Sequence, residues 1–204
     1  DLVALLDQLK SVPAGWPFHI RAVVNVAQPL RLLLPARHRD IEIFYRDNIG
    51  YNIGAWDYGW RQPAHHPAYL FLQEECRLVR PHWLAGFVQR GGDLDVGLVG
   101  ECLSPDWNAS WEELAVRTAD NRFREQWIDG KPAPRVDCYL DFFRRENIPQ
   151  GFKGDHLQSL ILFASRQVLE AMDGFPIGRN FGEAVAAEIG ISKKVQALGL
   201  KIVE

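Results

Sequence analysis

The strongest constraint in this chain is an alternation. Apolar, β-branched-rich runs at residues 18–26, 41–45, 68–73 and 95–100 are separated by stretches with helical spacing. That order predicts an α/β fold: an open, mostly parallel sheet with helices on both faces. Leu2, Leu5, Leu6 and Leu9 recur on one helical face, and this first helix is expected to stop before Pro13 and Gly15. Residues 29–39 read as a loop carrying a short helix, 81–89 as a helix, 160–164 as a strand and 165–172 as a short helix. A last helix over 181–198 ends at Gly199 and passes into a strand at 200–203.

Within the alternation one connection stands out. Asp47-Asn48-Ile49-Gly50-Tyr51-Asn52-Ile53-Gly54-Ala55-Trp56 joins the strand at 41–45 to a helix whose face carries Ile53, Trp56 and Trp60. Glycine permits positive φ and close approach to the main chain, and the start of a helix presents unpaired N–H groups to an anion or a sugar oxygen. A ligand-binding turn at the carboxyl end of a strand and an ordinary tight connection both satisfy this pattern.

The 204 residues suit one domain with a substantial core, at 47% hydrophobic and a net charge of −3. The dispersed charge gives no reason to expect nucleic acid as a partner, and no apolar run has membrane-spanning length. Cys76, Cys102 and Cys138 are far apart and odd in number, so reduced core thiols and a cytoplasmic location are expected. Residues 104–148 change character: Trp107, Trp111 and Trp127 lie among many charges, two helices are expected, and Ser110 with Glu113 forms a capping box. Such an insertion is expected to build one wall of a cleft. Its tryptophans read as packing or as faces for a sugar.

Two acidic features bear on chemistry. Glu188 falls in the apolar stripe of the last helix, among Phe181, Ala184, Val185, Ile191, Ser192 and Val195, whereas Glu183 lies on the opposite face. A carboxylate there needs a partner, a shifted pKa or an opening onto a cleft, and both an arginine ion pair and a general base meet that need. The other feature is Gln73-Glu74-Glu75, polar residues at the end of the strand at 68–73, where hard cations holding diphosphates find oxygen ligands.

These residues carry a resemblance. Asn48-x-Gly50 with Gly54-Ala55, the strand Leu70-Phe71-Leu72 running into acidic residues, and Arg80-Pro81-His82-Trp83-Leu84 resemble the core of family 2 glycosyltransferases of the GT-A fold. Ser165-Arg166-Gln167-Val168-Leu169, Gly174-Phe175-Pro176 and the acidic helix closing in Ala197-Leu198-Gly199-Leu200-Lys201-Ile202 are similar to the acceptor half of that family, and Asn48-x-Gly50-Tyr51-Asn52-Ile53-Gly54-Ala55-Trp56 resembles bacterial glycosyltransferases of surface-polysaccharide assembly, including the rhamnan-synthesis type. The resemblance covers about residues 18–100 and 155–204. It implies a single glycosyltransferase domain over 1–204, with a nucleotide-sugar half to about residue 100 and an acceptor half beyond it.

By the same resemblance, Glu188 corresponds to the catalytic base, with Ala187 where a glutamate often precedes it. The donor side comprises Asn48, Gly50, Asn52, Gly54, Gln73 and Glu74, and the acceptor side Trp107, Asp155 and His156. Glu75 is the metal position, for Mg²⁺ or Mn²⁺, and Gln73 in place of an aspartate implies weak metal dependence. The partners implied are a nucleotide-sugar donor and a glycan or lipid-linked acceptor, and the product is an inverted glycoside. The family's first strand has no counterpart before Leu2, so it is expected either to precede Asp1 or to be lacking. A catalytically silent scaffold or glycan-binding domain of a larger polysaccharide-assembly protein is the alternative. A nucleotidyltransferase is disfavoured by the absence of a glycine-rich, lysine-bearing loop.

Overall fold

A computed structural model describes residues 2–26, 31–120, 127–128 and 130–204, with only the backbone at Trp127. Residues 29 and 30 of the expected loop, and the Trp127 ring of the expected wall, lie outside that description.

The chain alternates as its periodicity requires. Helix α1 (Leu2–Ser11) leads to β1 (Arg21–Asn25) and β2 (Glu42–Arg46), then α2 (Tyr51–Arg61), β3 (Ala68–Leu72), α3 (Trp83–Arg90) and β4 (Val96–Gly100). The insertion carries α4 (Trp111–Arg117), a small hairpin of β5 (Trp127–Ile128) and β6 (Lys131–Pro132), and α5 (Arg135–Arg145). The chain closes with β7 (Ile161–Ser165), α6 (Arg166–Ala171), α7 (Phe181–Ala197) and β8 (Lys201–Val203). Ser110 caps α4 in the expected capping box, and Asn180 caps α7 through the Glu183 N–H.

The expectation of one mostly parallel sheet is corrected. β1 and β2 form their own parallel pair, in register from Arg21 opposite Glu42 to Asn25 opposite Arg46. A second sheet has the order β3-β7-β4-β8, in which β7 is antiparallel to both β3 and β4 while β8 is parallel to β4. The reversal of β7 has a local cause. Beyond Gly100 the chain continues as an antiparallel clasp: Ser104 N–H donates to His156 O and Gln158 N–H to Cys102 O, around a bridge between Leu103 and Leu157. The insertion therefore delivers the chain to the carboxyl end of β4, and β7 runs back from there.

The β1–β2 pair stands beside the β3 edge in the same direction. His19 and His66, which precede β1 and β3, stack with ring centroids 5.3 Å apart, and Arg21 donates to Ala64 O at 2.8 Å. Between β1 and β3 lies a cavity of about 900 Å³. Helices cover both faces of the strands. On one face Phe71, Leu98, Leu162 and Ala164 pack on α2, α5 and α7 through Trp56, Phe142, Tyr139 and Ile189, forming the main core. On the other, Val99 and Phe163 meet Phe87 and Val88 of α3, while Leu5, Leu6 and Leu9 of α1 cluster with Ala22 and Ile41. The three cysteines are free thiols.

Candidate active site

The last helix organises the site. The segment between the insertion and β7 lies along α7, which holds it at three levels. Near the end of the helix, Lys193 Nζ donates to Asp155 Oδ1 at 2.7 Å and to Gln196 Oε1 at 2.9 Å, and Gln196 Nε2 donates to Asp155 Oδ2 at 2.8 Å. Beside Lys193, the Leu157 N–H donates to Ser192 Oγ at 3.1 Å. Below that, Glu188 meets His156 and Ser159.

Glu188 therefore interrupts the apolar stripe for a reason visible in its partners. Ser159 Oγ donates to Glu188 Oε2, and His156 Nε2 lies 3.3 Å from Oε1. The partners are a hydroxyl and an imidazole, not a guanidinium. His156 is buried, and its Nδ1 lies 2.8 Å from Gly154 O, which can only accept, so Nδ1 carries a proton. The contact between Nε2 and a carboxylate oxygen then requires a second proton between them. Burial pushes the Glu188 carboxyl up, but the hydrogen bonds from His156 and Ser159 outweigh it and hold it below the usual carboxylate range. A quarter of the side-chain surface remains exposed. With two of about four lone-pair directions used, the group retains acceptor capacity.

Ser159 connects Glu188 to the donor-side candidates. Asn52 Nδ2, in the first turn of α2, donates to Ser159 O at 3.1 Å and lies 3.3 Å from its Oγ, and Gln73 Nε2 donates to the same carbonyl. Asn48 is exposed and, with Asn52, Gln73 and Glu74, lines the 900 Å³ cavity, and Glu188 is linked to that wall through Ser159. On the acceptor side Trp107 is half-buried, 6.2 Å from the His156 ring and 5.6 Å from Tyr139, with the Arg135 guanidinium 5.3 Å over its face. Glu188, His156, Trp107, Asn52 and Gln73 thus belong to one connected group.

The remaining candidates have other occupations. Gly50 takes φ +76° at the N-cap of α2, as the turn requires. Gly54 is needed for packing, because a β-carbon there would lie 2.0 Å from Ile49 O. Glu75 is exposed and belongs to no group of three or more potential metal ligands among the described residues. Asp155 is held by Lys193, which is only 2% exposed. Burial pushes Lys193 down despite Asp155; burial also pushes Asp155 up, but Lys193 and Gln196 outweigh it and leave its carboxyl low. The two shifts pull oppositely on the pair, and the short bonds to Nζ favour an ionised pair at neutral pH. Asp155→Ala leaves that buried ammonium without its counter-charge and should cost roughly 3–5 kcal/mol, nearer the lower figure because Asp155 itself is partly exposed. Chemical denaturation measures this, and the double change Asp155→Leu with Lys193→Met should recover most of the loss.

Sequence reasoning missed Ser159 and Lys193. The His156-x-x-Ser159 spacing was available as a signal, but only the fold shows that both side chains face Glu188. No family model matches the chain, and no curated protein or solved structure matches it either.

Proposed function

We propose that this chain is an inverting glycosyltransferase domain of the GT-A kind, transferring a sugar from a nucleotide-sugar donor to a glycan or lipid-linked acceptor. The observation that carries the reading is Glu188, a partly exposed carboxylate in a core helix, held by His156 and Ser159 and tied through Ser159 to Asn52 and Gln73. In the proposed step the acceptor hydroxyl oxygen forms a bond to the anomeric carbon as the bond to the diphosphate oxygen breaks. Glu188 takes the hydroxyl proton, and the nucleoside diphosphate leaves. A single displacement inverts the anomeric centre.

A divalent cation is implied by the resemblance, at Glu75. Gln73 is neutral and its amide is bonded to Ser159 O, and Glu75 belongs to no group of three or more potential metal ligands among the described residues. No step is therefore routed through a metal. The test is release of nucleoside diphosphate from UDP-, GDP- and dTDP-linked sugars in the presence of glycan acceptors, with and without a chelator. Turnover with one of them, unchanged by chelation, is expected. Complete loss on chelation, restored by micromolar Mn²⁺, would show that Glu75 and its neighbours bind a cation.

The engagement of Gln73 also favours a second reading, a silent glycan-binding or scaffold module. No turnover with any donor, but retained glycan binding, would select it.

A further inference from the structure

Tyr51 occupies a backbone conformation that its side chain disfavours. Its φ is +53°, in the left-handed region where glycine and asparagine are at ease and a bulky residue is strained. The strain is held from both strands of the β1–β2 pair. Asn25, the last residue of β1, donates from Nδ2 to Tyr51 O at 2.9 Å, and its Oδ1 accepts from Arg46 Nη1 at 3.0 Å. Arg46, the last residue of β2, donates from Nη2 to Ile49 O at 2.7 Å. These bonds fix residues 49–51 in one place.

Core packing does not account for the ring that this conformation presents. Tyr51 is 38% exposed and lines the cavity beside Asn48 and Asn52. Its ring meets that of Phe181, itself 47% exposed, edge to face, with centroids 6.4 Å apart and planes at 81°. Two routes connect this pair to Glu188. Phe181 is the first residue of α7 and precedes Glu188 by seven, so both lie on one face of the helix, about 10 Å apart along its axis. From the other side, Tyr51 is followed by Asn52, whose amide bonds Ser159 O, and Ser159 Oγ donates to Glu188.

Two exposed rings suit a ligand with an apolar face. A pyranose has one, a face of C–H bonds that packs on a π-system while its rim of hydroxyls stays in water. A sugar whose hydroxyl meets Glu188 does not span the distance to Phe181, but the next sugar of the same chain does.

We propose that Tyr51 and Phe181 form a second sugar subsite, so that the acceptor is a glycan chain of at least two sugars, with the reacting sugar at Glu188 and the next one packed on the two rings. The assignment of the reacting sugar rests on the transfer reading given above. The strain at Tyr51 is then what it costs to hold the ring toward the acceptor path.

Binding of malto-, chito-, manno- and rhamno-trisaccharides and of the matching monosaccharides, followed by amide shifts, tests this without any donor. One trisaccharide should bind about 10-fold more tightly than its monosaccharide and shift the amides of Tyr51 and Phe181. Tyr51→Asn removes the ring but suits the left-handed turn, so it should abolish that gain while the protein melts at the same or a higher temperature. Tyr51→Phe should keep the gain, and Phe181→Leu, which leaves the turn untouched, should lose part of it. The subsite is overturned if no trisaccharide binds better than its monosaccharide, or if the gain survives Tyr51→Asn. A lower melting temperature of Tyr51→Asn with glycan binding intact also overturns it, since the ring then only joins the turn to α7. So does lost affinity for UDP, GDP or dTDP with glycan binding intact, which gives the ring to the donor base. Trisaccharide binding at the rings without turnover on any donor keeps the subsite and removes only the transfer reading.

Discussion

Replacing Glu188 by glutamine is expected to reduce turnover by roughly 10²- to 10⁴-fold, the range for a lost general base, while leaving the fold and donor binding near normal. The fold should survive because glutamine satisfies the same partners. Its oxygen accepts from Ser159 Oγ, and its amide donates to His156 Nε2, which is free to accept once Nδ1 alone carries the ring proton on Gly154 O. Glu183, although on the other face of α7, is a poor control. It accepts from the Arg179 N–H at 2.7 Å and pairs with Arg145 at 2.6 Å. Glu170→Gln, in a surface pair with Arg166, is the better one. The pH dependence follows in sign: because the folded carboxyl lies below its ordinary value of 4.5, its contribution to stability is full above that pH and is lost as pH falls through the lowered value. If Glu188→Gln unfolds the chain and leaves transfer intact in the folded fraction, Glu188 is a structural partner of His156 and nothing more.

Gly54→Ala is expected to be the most damaging small change in the α2 region. An added β-carbon would lie 2.0 Å from Ile49 O and 3.0 Å from Arg46 Nη1, and the first of these is main chain in the turn itself. Either the first turn of α2 opens, breaking the 2.8 Å bond from Gly54 N–H to Gly50 O, or the turn moves away from Arg46, which donates to Ile49 O at 2.7 Å. Overpacking of this kind costs about 1–3 kcal/mol and sometimes more, and main chain on the receiving side places this case at the upper end. Donor affinity should fall with it, since Asn52 sits in the turn that shifts. A thermal melt and donor titration of the variant measure both. An unchanged melting temperature would mean that the turn yields freely.

The elements were readable in the sequence because apolar periodicity specifies them locally. The run at 68–73 became β3, and the helix predicted at 181–198 became α7, within one residue at its end. Strand direction was not readable. Ile161–Ser165 has the same apolar character as Val96–Gly100, and only the clasp between Leu103 and Leu157 reverses it. Nor did the alternation indicate that β1–β2 would stand apart from β3, since separate edges and a joined sheet share one pattern. In the site, Glu188 was conspicuous as a charge in an apolar stripe. Ser159 was not, because an isolated serine in a polar loop carries no period. Lys193 hid for a related reason: Ile191-Ser192-Lys193-Lys194 looks like an ordinary polar stretch near a helix end, until the fold brings Asp155 against it.

The most direct test of the proposed activity is to titrate the chain with UDP, GDP and dTDP and follow backbone amide shifts by NMR. Binding of one nucleotide, with the largest changes at Asn48 to Asn52, at Gln73 and Glu74, and at Ser159, is the predicted result. No binding by any of the three, or changes confined to the residues around Lys10, Asp40 and Glu42 at the other end of β1, would contradict it.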